Sequence, residues 1–246
     1  MCACIRSWFT QLRPSGVQEM MRSLLLCAHG PQSTRGRAAL AGLVNAVRRE
    51  AHDLDVVDTY VDLQEPSIAS TIEATSGPRS LVPLMLTYDR DVSVDIVRAS
   101  HLDPSVAVTP PLGPDWVLAE VGVRRLFEVG ARSDDTIVLA AGATNDERAV
   151  ADVAKAARLL SAVWGGRVHV GALGGPDTAL AEAVDVARAY GHRVVVSSYL
   201  LTTGTAHEAM SECGADVVTA PLLDNNPPDQ RLVGLVLARA RREINT

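Results

Sequence analysis

Alternating strand and helix signals, a core composition of aliphatic residues, and a repeat of the whole pattern at a spacing near 112 residues predict an α/β fold. It should contain two similar, doubly wound lobes, each on a mainly four-stranded parallel sheet. Hydrophobic residues make up 47% of the 246 positions and aromatics only 4%, the balance expected of Val- and Leu-rich strands buried on both faces. Short β-branched runs alternate with longer Ala, Leu and Arg segments, as in successive βαβ units.

Taken in order, the first half reads as strand 24–27, helix 36–51, strand 56–61, helix 67–75 and strand 80–86. A helix at 92–100, a strand at 106–109 and a long helix at 116–130 follow. The second half repeats this with strand 136–140, helix 146–164, strand 167–172, helix 178–190 and strand 193–201, then helix 206–213, strand 216–219 and a terminal helix 230–244. Corresponding positions keep nearly one offset: Gly30 and Gly142 are 112 apart, Leu86 and Leu201 are 115, Leu112 and Leu222 are 110. PPLG at 110–113 is echoed by APLL at 220–223, and VPLMLT at 82–87 by SSYLLT at 197–202. The expected organisation is therefore an amino-terminal lobe at 23–130 and a carboxy-terminal lobe at 131–246. Residues 1–22 form an extension expected to be disordered, with Met20 or Met21 an alternative start.

Charge and cysteine usage narrow the function. A net charge of −6 and a pI near 5.5 offer no basic field for a nucleic-acid backbone. Four scattered cysteines (Cys2, Cys4, Cys27 and Cys213) do not make a disulfide framework, which fits reduced thiols in the cytoplasm. No apolar run approaches the roughly 18 residues needed to span a membrane, and Arg6 interrupts the stretch where a signal peptide needs its apolar core.

Ligands of open α/β sheets bind beyond the carboxyl ends of the strands, so the informative residues lie just after each strand. His29 ends strand one in LLLCAHG; a neutral imidazole there can bind a divalent transition metal or accept a proton, or simply close a βα turn. Strand three runs into TYDRDVSVDI, where Asp89, Asp91 and Asp95 crowd one edge with Arg90 and Arg98. Those carboxylates can serve chemistry or cap the following helix.

LLLCAHG, DLQEPSI at 62–68, VPLMLTYDRDVSVDI and VTPPLGP at 108–114 resemble the sirohydrochlorin chelatases, the iron- and cobalt-inserting class II chelatases. TIVLAAGAT and VVVSSYLLTTGTAHEAMSECGADVVTAPL continue the resemblance, which spans roughly 23–244. It implies ATP-independent insertion of Fe²⁺ into sirohydrochlorin, with cobalt insertion for cobalamin synthesis, or a non-catalytic tetrapyrrole- or metal-binding protein, as alternatives. The metal is then substrate, and no organic cofactor is needed. The family's two histidine ligands come from the loops after strands one and three; the first matches His29, whereas the second falls at Asp91. Asp91 keeps an oxygen donor and a base, harder and less basic than imidazole.

His207, after strand three of the second copy, is a candidate third metal ligand if both lobes face one cleft, or a helix-start histidine facing solvent. Glu65 can relay protons or cap a helix. Arg35, Arg90 and Arg98, with Arg37, are candidates for binding the rim carboxylates of the macrocycle, or belong to solvated helix faces. His52, His169 and His192 read as structural, and His101 stays ambiguous. Because the duplication supplies both lobes, a monomer suffices.

Overall fold

Strand β1 (Arg22–Ala28) forms from an unbroken aliphatic run whose pleat sends Leu24 and Leu26 to one face and Leu25 and Cys27 to the other. Both faces are buried, so both must be covered by helices. The computed structural model describes residues 22–31, 33–61, 64–87, 90–190 and 193–242; the extension at 1–21, Asp89 and His192 lie outside these.

The first sheet takes its other strands from β2 (Leu54–Tyr60), β3 (Arg79–Pro83) and β4 (Val106–Val108), linked by helices α1 (Thr34–Glu50), α2 (Ile68–Ala74) and α3 (Arg90–Leu102). After α4 (Trp116–Glu128) the pattern recurs as β5 (Thr136–Ala141), α5 (Glu147–Trp164), β6 (Val168–Ala172), α6 (Leu180–Arg188), β7 (Val194–Ser198), α7 (Thr205–Ser211), β8 (Val217–Val218) and α8 (Gln230–Arg242). The strand orders are β2-β1-β3-β4 and β6-β5-β7-β8, all parallel, so the two sheets share one topology. Every element expected from the sequence is present and in order.

The outer faces of the sheets carry separate apolar clusters. Leu25, Cys27 and Leu81 pack with Ile68, Ile72, Val92 and Ile96 of α2 and α3; Val138, Val194 and Val196 pack with Val184, Ala187 and Met210 of α6 and α7. The inner faces instead meet one continuous core, in which Leu24, Leu26, Ile137 and Leu139 are sealed by residues of α1, α4, α5 and α8.

Within that core the last helix of each repeat packs across to the other repeat's sheet. Helix α4 packs on α5 and β7, and α8 on α1 and β3. The chain boundary near 130 thus separates sequence repeats, whereas packing interleaves them. Two arginines fasten the exchange in matching ways. Arg125 of α4 donates to Leu222 O (3.0 Å) and Asp224 (3.0 Å), and Arg239 of α8 donates to Leu112 O (3.1 Å) and Asp115 (2.9 Å). Both side chains are only 11% exposed, so these bonds are sheltered from water.

Asp229 joins the exchanged helices to each other. It accepts from Arg231 Nη2 (2.7 Å) and the Arg231 amide (2.9 Å) on α8, and from Arg124 (3.1 Å) on α4. The Arg231 guanidinium outweighs the cost of burial and holds the carboxyl at about 2, below its ordinary 3.8. Because the folded-state value is the lower one, this contribution is complete above the unfolded value and is lost as pH falls through the folded one. Discounted for the exposed arginines, it should amount to about 1–2 kcal/mol. Asp229→Asn is expected to lower stability by that amount near neutral pH and to flatten the loss on acidification, as measured by urea unfolding at a series of pH values.

Candidate functional site

In each sheet the first strand sits between the second and third, so the chain winds outward in opposite directions from one gap. That gap lies between β1 and β3 in one lobe and between β5 and β7 in the other. The loops leaving these four strands converge on a single cleft of about 690 Å³ between the lobes. Ala28 ends β1 and His29, Pro31 and Ser33 follow it; Leu84–Thr87 follow β3; Ala141 ends β5 and Gly142–Thr144 follow it; and Tyr199–Gly204 follow β7.

Strands β3 and β7 end earlier than their hydrophobic runs predict, and this opens the cleft. The Leu84 amide bonds Cys27 O (2.7 Å) and the Tyr199 amide bonds Ala140 O (2.8 Å). Beyond these rungs the neighbouring strands β1 and β5 stop, at Ala28 and Ala141. Residues 84–86 and 199–201 then leave the sheets and line the cleft.

Two bonds tie the walls together across the lobes. Ser33 Oγ caps α1 by accepting from the Gly36 amide (2.9 Å) and donates to Thr203 O (3.0 Å). The buried Tyr199 hydroxyl donates to Leu86 O (2.9 Å). Burial, reinforced by Asp152 and Asp115, pushes that phenol upward, so it remains a donor. Gly113 lies against this bond, and a Cβ there would overlap both Leu86 O and the Tyr199 hydroxyl.

Of the sequence candidates, His29 stands on the cleft wall and is exposed to it. Its repeat counterpart, Ala141, lines the facing wall without chemistry. Asp91 falls in the first turn of α3, directly after the β3 loop, and its side chain lies outside the described residues. His207 is half-buried and its Nε2 lies 2.9 Å from Thr219 O, which places that proton on Nε2, donated to the carbonyl. The ionisable α7 residue on the cleft wall is its neighbour Glu208, beside Thr205 and Ala206. Successive helix residues point about 100° apart, and the sequence alone did not fix which of the two faces inward.

Glu65 accepts from the Ser67 amide (2.9 Å) and Ser70 Oγ (3.3 Å) and so caps the start of α2. Arg35, Arg90 and Arg98 are exposed and do not line the cleft; Arg37 donates to Pro31 O (3.4 Å) and Thr34 Oγ1 (3.3 Å). One contributor had no sequence signal: Gln64 donates to Pro31 O (3.3 Å), and its amide covers Gly30, bracing the loop that carries His29. Elsewhere, His169 is a packed histidine, its ring 5.3 Å from that of Tyr190, and burial with the nearby Arg167 pulls its titration downward. Among the described residues no group of three or more His, Cys, Asp or Glu side chains is poised to hold a metal, and no helix is long and apolar enough to cross a membrane.

Residues 23–129 match the CbiX family model. The amino-terminal lobe is similar to the CbiX family. The likeness read from its strand-end motifs to the class II chelatases therefore holds. Solved structures extend the fold over both lobes. SirB from Bacillus subtilis with Fe³⁺ is 18% identical with a TM-score of 0.75, over 91% of this chain and 96% of its own. The sirohydrochlorin chelatase SirB from B. subtilis subspecies spizizenii in complex with cobalt is 18% identical, TM-score 0.68, over 92% and 96%. DR2241 of Deinococcus radiodurans, a multi-domain protein with structural similarity to chelatases, is 20% identical, TM-score 0.69, over 90% of this chain and 54% of its own. No curated protein sequence matches the chain.

Proposed function

We propose that this chain inserts ferrous iron into sirohydrochlorin, without ATP or an organic cofactor, in the cleft between its lobes. The observation that carries the reading is the convergence of four strand-end loops on one 690 Å³ cleft whose described walls present a single histidine, His29. A lobe similar to the CbiX family and a fold shared with a sirohydrochlorin chelatase support it.

In this reading His29 presents a partly desolvated M²⁺ to one face of the macrocycle, with Asp91 as the second, oxygen ligand. A site that passes its metal on must hold it through few donors and leave positions open. Leu84, Leu86, Leu200 and Leu201 pack against the flat apolar ring. As the metal enters, ring nitrogens replace the protein donors and two pyrrole protons depart, one to His29 and one to a carboxylate. Glu208, on the opposite wall, is the acceptor best placed among the described residues. Glu65, which caps α2, and His207, bonded to Thr219 O, do not line the cleft and are given no role in this scheme. Arg35 and Arg90, in the first turns of α1 and α3, draw the anionic substrate toward the edge where the loops converge, with Arg98 further along α3. Both walls come from one chain, which fits a monomer acting in the cytoplasm.

Cobalt is the alternative substrate, since iron-bound and cobalt-bound neighbours share the fold and the two ions are adjacent in ligand affinity. Mixing protein and sirohydrochlorin anaerobically with Fe²⁺ or Co²⁺, and following the change in macrocycle absorbance, tests both. Faster metallation than in protein-free buffer is expected, with Fe²⁺ the faster metal; rates equal to buffer with both would overturn the reading.

A further inference from the structure

The described residues lining the cleft include neither arginine nor lysine, yet the proposed substrate carries carboxylates around its rim. A second, shallower depression of about 540 Å³ adjoins the cleft and holds the missing charge. It lies between the Pro110–Pro114 loop of the first repeat and helix α5 of the second, and Arg148, Lys155 and Arg239 line it. The partition between the two spaces is thin. Gly113 of the depression touches Leu86 and Tyr199 of the cleft, and on α5 Val153 faces the cleft while Asp152 and Lys155 face the depression.

Resting on the function proposed above, we infer that this depression is the subsite for the rim carboxylates of the tetrapyrrole, with Lys155 and Arg148 as its cationic groups. Arg148 and Lys155 are seven residues apart on α5, two helical turns, and so share one face. Both are exposed. Lys155 is the chain's only lysine and makes no hydrogen bond or ion pair among the described residues. Arg239 supplies the rigid floor: its guanidinium is held by Pro111 O (3.1 Å), Leu112 O (3.1 Å) and Asp115 (2.9 Å), so it shapes the loop more than it offers charge. Asp152 sits between the two cations and contributes to the field at Tyr199. A ring seated on the apolar cleft walls would extend its flexible acidic arms over the Gly113 partition onto this shelf.

The test is fluorescence titration of metal-free sirohydrochlorin into the full chain and into the Arg148→Glu/Lys155→Glu double variant. Unchanged circular dichroism and melting would establish that both proteins are folded. At low salt the variant should bind about tenfold more weakly, and the gap should close at high salt, as for screened surface charges. The esterified macrocycle, with neutral arms, should bind both proteins alike. Equal affinity for sirohydrochlorin at low salt, or an equal loss with the ester, would overturn the subsite while leaving metal insertion standing. Failure of the unmodified chain to bind sirohydrochlorin would remove the proposed function, and the subsite with it.

Discussion

His29→Ala is expected to abolish metal insertion while leaving the fold intact. The side chain is exposed at the end of β1, so its loss should change stability by less than about 0.5 kcal/mol. Its absence would leave the described cleft walls without an imidazole, because the repeat equivalent is Ala141. A fall in rate of at least about a hundredfold, a typical size for the loss of one acid–base group, is the expected reading. Gln64 and Ser33 hold the loop from either side of the residue, so the backbone should keep its course. Sirohydrochlorin affinity, set by the rest of the cleft, should change little. Turnover at the wild-type rate would take His29 out of the mechanism.

At position 91 the expected effects run in opposite directions for different replacements. Asp91→Ala should lower insertion strongly, since the metal loses one of two proposed anchors. Asp91→His should tighten binding of Fe²⁺ or Co²⁺, because imidazole is the softer donor. It need not raise turnover, as a metal held more firmly leaves more slowly for the ring. Asp91→Asn keeps an oxygen but removes charge and base, so it separates shape from chemistry and should resemble Ala more than wild type. Position 91 is in the first turn of α3, where a carboxylate also suits the helix dipole. A helix-capping role alone would lower melting temperature in the Ala variant with no change in rate, and three variants turning over like wild type would establish that role.

The fold was legible in the sequence because its signals are local and repeated. Among the described residues sixteen elements alternate in the expected order, and aliphatic strands such as LLLCA and VVVSS suit a parallel sheet covered on both faces. Strand ends were less legible where a partner strand decides them. Leu84–Leu86 and Tyr199–Leu201 read as strand by composition, but β1 and β5 stop first, and the freed residues become cleft wall. The exchange of α4 and α8 was invisible, because an amphipathic helix shows which face is apolar but not which sheet will cover it. Arg125 and Arg239 record that choice only through long-range bonds.

The site was legible where position within the topology sufficed. His29 follows the first strand, beside the switch in strand order, and the structure finds it on the cleft. The site was not legible where side-chain direction mattered. His207 and Glu208 are neighbours on α7, and the imidazole turns to Thr219 O while the carboxylate reaches the cleft. The basic shelf draws Arg148 and Lys155 from one repeat and Arg239 from the end of the chain, next to a loop of the other repeat. No linear motif joins them.

Turnover with limiting protein separates catalysis of metal insertion from mere binding of the macrocycle. Sirohydrochlorin and Fe²⁺ in large excess are mixed with a small amount of the full chain, and the metallated macrocycles formed per protein are counted against a protein-free control. Many products per chain are expected, at a rate that falls to background with His29→Ala. Tight binding of sirohydrochlorin with product no faster than the control, or a halt after one equivalent, would contradict the proposed function and identify a tetrapyrrole-binding protein that has kept the fold without the catalysis.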